Sequence, residues 1–172
     1  MTMSTDPAAA LHIREMELED LSTVYALGER VFTADKWPSL YRTWDEYEAV
    51  GLFSSDGEYC LVAERDDRVV GFALGTLINK RKSAWTYGYL MWLAVEPDLK
   101  RSGIASQLVD ALTETFIRTG ARMMIVDTDA ANAAAIAFFH RHGFGNEDKH
   151  VYLSKNLTSH PDYQRLRDEG LD

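Results

Sequence analysis

The 172-residue sequence predicts a single mixed α/β domain, and three observations carry that expectation. Strand-like and helix-like runs alternate through residues 11–157 in the order β-α-α-β-β-β-α-β-α-β, with no repeat at solenoid spacing. The length suits one domain whose core folds unaided. Apolar residues make up 46% and charged residues 26% of the chain, an ordinary globular balance.

Residues 1–10, "MTMSTDPAAA", lack a basic region followed by an apolar core. They read as a flexible leader and not as a secretory signal. "LHIREM" is a short first strand. Leu21, Val24, Tyr25, Gly28, Val31 and Phe32 then recur at helical spacing behind Asp20, a capping residue type. "ADKWPS" breaks that helix. "SLYRTWDEYEAVGLF" is a second helical segment, with Leu40, Trp44 and Tyr47 on one side. "YCLVAERD" and "RVVGFALGTLIN" meet at "DDR" as a hairpin. A polar loop, "NKRKS", leads to the long aromatic strand "AWTYGYLMWLAVEP".

Ser102 to Arg118 is a helix with the apolar stripe Ile104, Leu108, Ala111, Leu112, Thr115 and Phe116, ended by Gly120. "ARMMIVDT" is a strand and "NAAAIAFFHRH" a short helix stopped by Gly143. "FGNEDKHVYLSKNL" is a last strand with a polar turn. Residues 158–172 form a tail that is either a short helix or a frayed end. Residues 11–157 thus hold the domain.

The formal net charge of −9 argues against a nucleic-acid binder, which needs a basic face to displace phosphate counterions. It suits a cationic substrate such as an amine, although acidic surfaces also serve solubility alone. No run reaches the ~20 apolar residues of a membrane span. Cys60 is the only cysteine, which excludes an internal disulfide and favours a reducing, cytoplasmic setting. Its strand-like surroundings make it a buried, inert thiol.

The stretch "EPDLKRSGIASQL" holds the most chemistry. A strand ends at "AVEP", turns through "DLKRSG" and enters a helix, whose first amides are free to hold an anion. Gly103 permits close approach to the backbone, and Lys100 and Arg101 add charge. The sequence has neither G-x-x-x-x-G-K-[ST] nor G-x-G-x-x-G. Taken alone, the turn reads equally as a solvated surface turn.

Three elements in order change that reading: the strand "YLMWLAVEP", then Lys100-Arg101-Ser102-Gly103-Ile104-Ala105, then Asn132-Ala133-Ala134-Ala135-Ile136-Ala137-Phe138-Phe139-His140-Arg141-His142-Gly143-Phe144. Over roughly Leu11 to Leu157 the chain resembles the GNAT superfamily of acyl-CoA-dependent N-acetyltransferases. The resemblance implies a mixed, mostly antiparallel sheet splayed at its centre, with helices on both faces. It implies acetyl-CoA as co-substrate. Its pyrophosphate would lie on the turn formed by Lys100, Arg101, Ser102, Gly103, Ile104, Ala105 and Ser106, and its pantetheine along Leu93, Ala94 and Val95. Asn132 would contact the pantetheine arm, with Ala135, Phe138 and Phe139 along its walls. Two positions depart from the family. Lys100 stands where glutamine or arginine is usual, supplying a cation without a planar fork. Phe139 replaces a tyrosine that many members use to protonate the leaving thiolate.

Attack of an amine on a thioester needs a base and a donor for the oxyanion, for which the resemblance points to an N–H near Leu93. Tyr89, eleven residues before Lys100, and Asp127, five before Asn132, match positions that do proton work in protein N-terminal acetyltransferases of the superfamily. Alternation places Tyr89 on one sheet face with Met91 and Leu93. Asp127 ends an apolar strand, where partial desolvation raises a carboxylate's pKa toward base duty. Each also has a plainer reading, Tyr89 as a core aromatic and Asp127 as a loop cap. His140 and His142 lie two apart on a helix, share no face and make no metal pair, so no metal is expected. His140 is a second candidate acid. "KWPSLYRTWDEYE" falls where the family builds its acceptor groove, and reads equally as an amphipathic helix over the sheet.

The expected activity is direct acetyl transfer from acetyl-CoA to a primary amine, with a peptide or protein N-terminal amine favoured. A small amine (aminoglycoside, polyamine or amino acid), a non-catalytic acyl-CoA-binding module and a nucleotide-binding domain are the alternatives. Exposed strand edges and the tail admit a homodimer.

Overall fold

Strands β2 (Cys60–Arg65) and β3 (Arg68–Asn79) form the hairpin that the sequence marks, joined by Asp66 and Asp67. Both turn residues have positive φ, 53° and 56°. That left-handed pair matches the twist of the strands, and aspartate tolerates it. The computed structural model describes residues 10–33, 43–79, 85–151 and 153–170. Around the hairpin the sheet runs β1-β2-β3-β4-β5, with β1 at His12–Glu15, β4 at Thr86–Val95 and β5 at Met123–Val126. The first four strands pair antiparallel. β5 is parallel to β4, which requires a crossover, and helix α3 (Ile104–Arg118) supplies it.

Each face of the sheet has its own core. Helices α1 (Leu21–Val31) and α2 (Glu46–Asp56) bury Val24, Leu27, Ala49 and Leu52 against Val62, Phe72, Leu74 and Trp92. On the other face α3 and α4 (Ala133–Arg141) bury Ile104, Leu108, Leu112, Phe116 and Phe139 against Ala63, Ala73 and Leu90. The α3 stripe is the one its periodicity indicates. Gly88 lets α3 lie close, since a Cβ there would sit 2.4 Å from the Phe116 ring. Cys60 is fully buried at the start of β2, and burial pushes its thiol up to about 12, which leaves it inert at neutral pH.

Four local expectations change. The second helix begins at Glu46 behind Asp45, whose side chain accepts the Glu48 N–H, and runs on to Asp56. Trp44 therefore precedes the helix and Tyr47 faces solvent, while Ala49 and Leu52 form the buried side. Leu40 lies outside the described residues, as do the "ADKWPS" break and residues 80–83 of the polar loop "NKRKS".

Asp20 does not cap α1. Its carboxylate accepts two bonds from Arg14, at 2.6 and 3.0 Å, and the Glu17 N–H at 2.8 Å.

The segment after Phe144 forms no strand among its described residues, and Val151 and Leu153 are 80% and 89% exposed. Strand propensity needs a paired neighbour to be realised, and this segment lies on no strand of the sheet. The tail resolves as a helix, α5 (Pro161–Asp168), behind His160.

The fourth change is a bulge in β4. Leu74 pairs with Trp92 and Gly75 with Leu90, so Met91 is the extra residue. The alternation of side chains flips there. Leu90 joins the α3 face, whereas Met91 and Trp92 both pack toward α1 and α2, and Leu93 returns to the α3 side. Tyr89 therefore shares a face with Met91 and not with Leu93.

Candidate active site

The site begins where two strands part. Pairing of β4 with β5 ends at Leu90 opposite Val126, yet β4 continues to Val95. Residues 91–95 thus have an open edge on that side. The Glu96 N–H donates to Val70 O on β3 at 2.9 Å. Direction alternates along an antiparallel strand, so Ala94 also faces β3 while the Leu93 and Val95 amides point into the gap. An extended chain laid there would find two donors and two acceptors.

The turn after β4 closes one end of the gap. The Leu99 N–H donates to Glu96 O at 2.9 Å, and the Ser102 N–H and hydroxyl both donate to Leu99 O. Arg101 has φ 66° and Gly103 φ 82°. A non-glycine residue in that region costs about 1–3 kcal/mol and collects at functional turns. The first intrahelical bond of α3 runs from the Gln107 N–H to Gly103 O. The amides of Gly103, Ile104, Ala105 and Ser106 therefore have no acceptor within the helix, and no side chain caps them. They form a row of donors at the positive end of the helix. A Cβ added at Gly103 would meet nothing within 4 Å, so the space over the turn is open. Arg30 on α1 pairs with Glu96 at 2.5 Å and ties the turn to the other face.

At the far side of the gap the Tyr89 hydroxyl donates to Asp127 Oδ1 at 2.5 Å. Met124 and Val126 pack toward α3, so Asp127 follows the opposite alternation and meets Tyr89 on the α1/α2 face. Asn132 caps α4, accepting the Ala135 N–H at 3.2 Å and donating to the Thr128 hydroxyl at 3.2 Å.

These parts line one cleft of about 800 Å³. It brings together Leu93, Ala94, Val95, residues 100–106, Asp127, Asn132, Ala135, Phe138 and Phe139. Tyr89 is not in its wall and reaches the cleft through Asp127. His140 is also absent from the wall; its Nε2 lies 2.9 Å from Glu147 at the surface. Phe139 is buried among the α3-side core with Phe138 and Phe144 edge-on to it.

The model of the acetyltransferase (GNAT) family matches residues 20–144. The chain belongs to that family. A curated relative, acetyltransferase SG1711 of Sodalis glossinidius (strain morsitans), is 26% identical over 155 residues, covering 89% of this chain and all of the relative. Among solved structures, the aminoglycoside N-acetyltransferase AAC(6')-Iy in complex with CoA is 21% identical, with TM-score 0.67 over 86% of this chain and 95% of its own. A Trypanosoma brucei acetyltransferase is 18% identical, with TM-score 0.65 over 85% of this chain and 100% of its own. At these identities the solved structures establish the shared GNAT fold. Family membership supports acetyl transfer to an amine.

This GNAT cleft also has walls that the sequence reading missed. Arg141 lines the cleft. It lies three residues after Phe138 on α4 and so shares its face, a spacing that could have revealed it. Val31, Phe32, Met91, Trp92 and Asp129 line the other parts. Phe32 was legible as part of an apolar stripe, but nothing in the stripe says which end of it meets the cleft. No described helix is long and apolar enough to cross a membrane.

Proposed function

We propose that this chain transfers the acetyl group of acetyl-CoA to a primary amine by direct attack in a ternary complex, the acceptor being the N-terminal amine of a peptide or protein. The observation that carries this reading is the placement of the open amide row at residues 103–106 and the Asp127 carboxylate in one cleft, across the gap between β4 and β5. The amide row, with Lys100, Arg101 and Arg141 beside it, suits a diphosphate. The Leu93 and Val95 backbone suits the amide-bearing arm of the same carrier. The residues present fit coenzyme A.

The chemistry follows from what remains. An alkyl ammonium with a pKa near ~10 must lose a proton before it attacks. Asp127 accepts that proton directly or through water, and Tyr89 holds one of its oxygens in place. The amine nitrogen then bonds to the thioester carbon, and the Leu93 N–H donates to the oxygen as it gains charge. The C–S bond breaks, the thiolate departs, and the second nitrogen proton passes to water or to that thiolate, leaving the neutral amide. Phe139 offers the thiolate no proton, and a coenzyme A thiolate is stable enough to leave as the anion. The single buried thiol fits a reducing, cytoplasmic setting for this reaction.

A second reading, a small-amine acceptor, is favoured by the aminoglycoside acetyltransferases among the fold's solved relatives. Thiol release measured across a panel of peptides, polyamines, amino acids and aminoglycosides separates the two. In the same assay Asp127→Asn is expected to lower kcat by ~10²–10⁴ with coenzyme A affinity unchanged. Wild-type rates in that variant would remove Asp127 as the base. Tight coenzyme A binding with no thiol released by any amine would make the chain a binding module.

A further inference from the structure

The acceptor end of the cleft has a different chemistry from the cofactor end. Its described wall is built from Val31 and Phe32 at the end of α1, Thr43 and Trp44 ahead of α2, and Met91 and Trp92 at the β4 bulge. Phe32 sits at the centre, with ring centroids 4.8 Å from Trp92 and 5.5 Å from Trp44. Phe32, Trp44 and Met91 are half-buried, so each keeps a face toward the cleft. The polar edges of both indoles are directed into the protein. Trp44 Nε1 donates to Tyr25 O at 3.0 Å, and Trp92 Nε1 donates to Glu48 at 2.9 Å. The cleft therefore meets carbon from these two side chains.

Carboxylates are few among the described residues there. Asp127 and Asp129 are the acids of the described wall. Asp129 Oδ1 accepts the Ala131 N–H at 2.7 Å and so serves its own loop. Glu48 of α2 is engaged by Trp92 and does not line the cleft. At the opposite end stand Lys100, Arg101 and Arg141. Such a wall recognises one ammonium beside an apolar surface. Among the described residues it lacks the several carboxylates that a polycation needs, and Thr43 and Thr128 are the hydroxyls it offers a polyhydroxylated ring.

We infer that the acceptor is a primary amine with a single positive charge and an aromatic or large aliphatic group within a few bonds of the nitrogen, and that Phe32, Trp44 and Met91 select it. Two sources carry that chemistry: an N-terminal residue with an apolar side chain, or a free arylalkylamine. This inference rests on the acetyl-transfer reading above and narrows its acceptor.

The test compares kcat/KM by thiol release for a Phe-initiated tripeptide, the same peptide initiated by Ser, 2-phenylethylamine, spermidine and kanamycin. The apolar amines are expected to exceed the Ser peptide, spermidine and kanamycin by ~10-fold or more, since burial of a ring is the difference between them. The Phe peptide outrunning 2-phenylethylamine assigns the N-terminal source, and the reverse assigns the free amine. Phe32→Ala is expected to erase most of that preference through KM, with coenzyme A affinity unchanged, and Phe32→Leu to restore part of it. Thermal melts of both variants separate selection from misfolding. Spermidine or kanamycin matching or exceeding the apolar amines overturns the inference and leaves acetyl transfer standing. Coenzyme A binding without turnover on any amine overturns the reading beneath it.

Discussion

The two ends of the cleft are built by opposite means. The end proposed for the cofactor is built mostly from one stretch of chain, the end of β4 and the turn into α3, whose backbone amides are its main donors, with α4 side chains beside it. The acceptor end gathers side chains from α1, the approach to α2, the β4 bulge and the end of β5. An anion site made of amides depends on local conformation, and needs only a strand, a tight turn and a helix start. A site made of side chains depends on how distant elements pack. The first is stiff and general, and we propose that it holds a carrier common to the family. The second is where one member differs from another.

That contrast is broken most severely by Gly103→Val. A β-branched residue at φ 82° strains the turn by about 1–3 kcal/mol or forces it to another shape. Coenzyme A affinity measured by calorimetry should fall by ~10-fold or more, while circular dichroism stays that of the folded domain. An unchanged affinity would mean that the turn does not hold the carrier.

Gly28→Ala strikes the other end. Its Cβ would lie 2.1 Å from the Trp44 indole, so the ring must move, at a cost of about 1–3 kcal/mol in stability. The expected signature is a several-fold rise in acceptor KM, comparable to losing ~1 kcal/mol of contact, with coenzyme A affinity unchanged. A fall in both would show that the two ends are not separable.

Asp20→Asn sharpens the contrast from outside the cleft. Arg14 holds the Asp20 carboxyl below its ordinary range, so its contribution is present above the unfolded value near ~3.9 and is lost as pH falls through the folded value. The variant should be less stable at neutral pH by about 1.5–3 kcal/mol. That deficit should shrink as pH falls below ~4 and close once the lower folded value is passed. Thermal melts at pH 7 and pH 3 check it, and a deficit of equal size at both would assign it to packing instead of charge. Affinities at both ends of the cleft should be those of the wild type.

The same contrast explains what the sequence makes legible. Lys100 to Ser106, with Asn132 and the Phe138–Phe139 pair, lie in two contiguous runs, and the cleft collects them as the runs indicate. The hairpin at Asp66–Asp67 and the α3 stripe are equally local. Tyr89 and Asp127 were each legible from their spacing to Lys100 and Asn132, which resembles the family's pattern; that a hydrogen bond joins them was not. Alternation failed two residues further on. The extra residue at Met91 depends on how β3 and β4 register, which no property of Met91 itself announces. Val151 and Leu153 failed for a related reason: a strand-like composition specifies no partner, and the described segment has none in this sheet. Trp44 was assigned to a helix that begins just after it, because Asp45 is the better cap.

The central claim is that main-chain donors at the start of α3 and along the open edge of β4 hold the carrier. Amide hydrogen exchange, with and without coenzyme A, reads those donors one by one. Strong slowing is expected at Gly103 to Ser106 and at Leu93 and Val95, with the β1–β2 ladder unaffected. Slowing confined to other amides, with these six exchanging as before, would contradict the account.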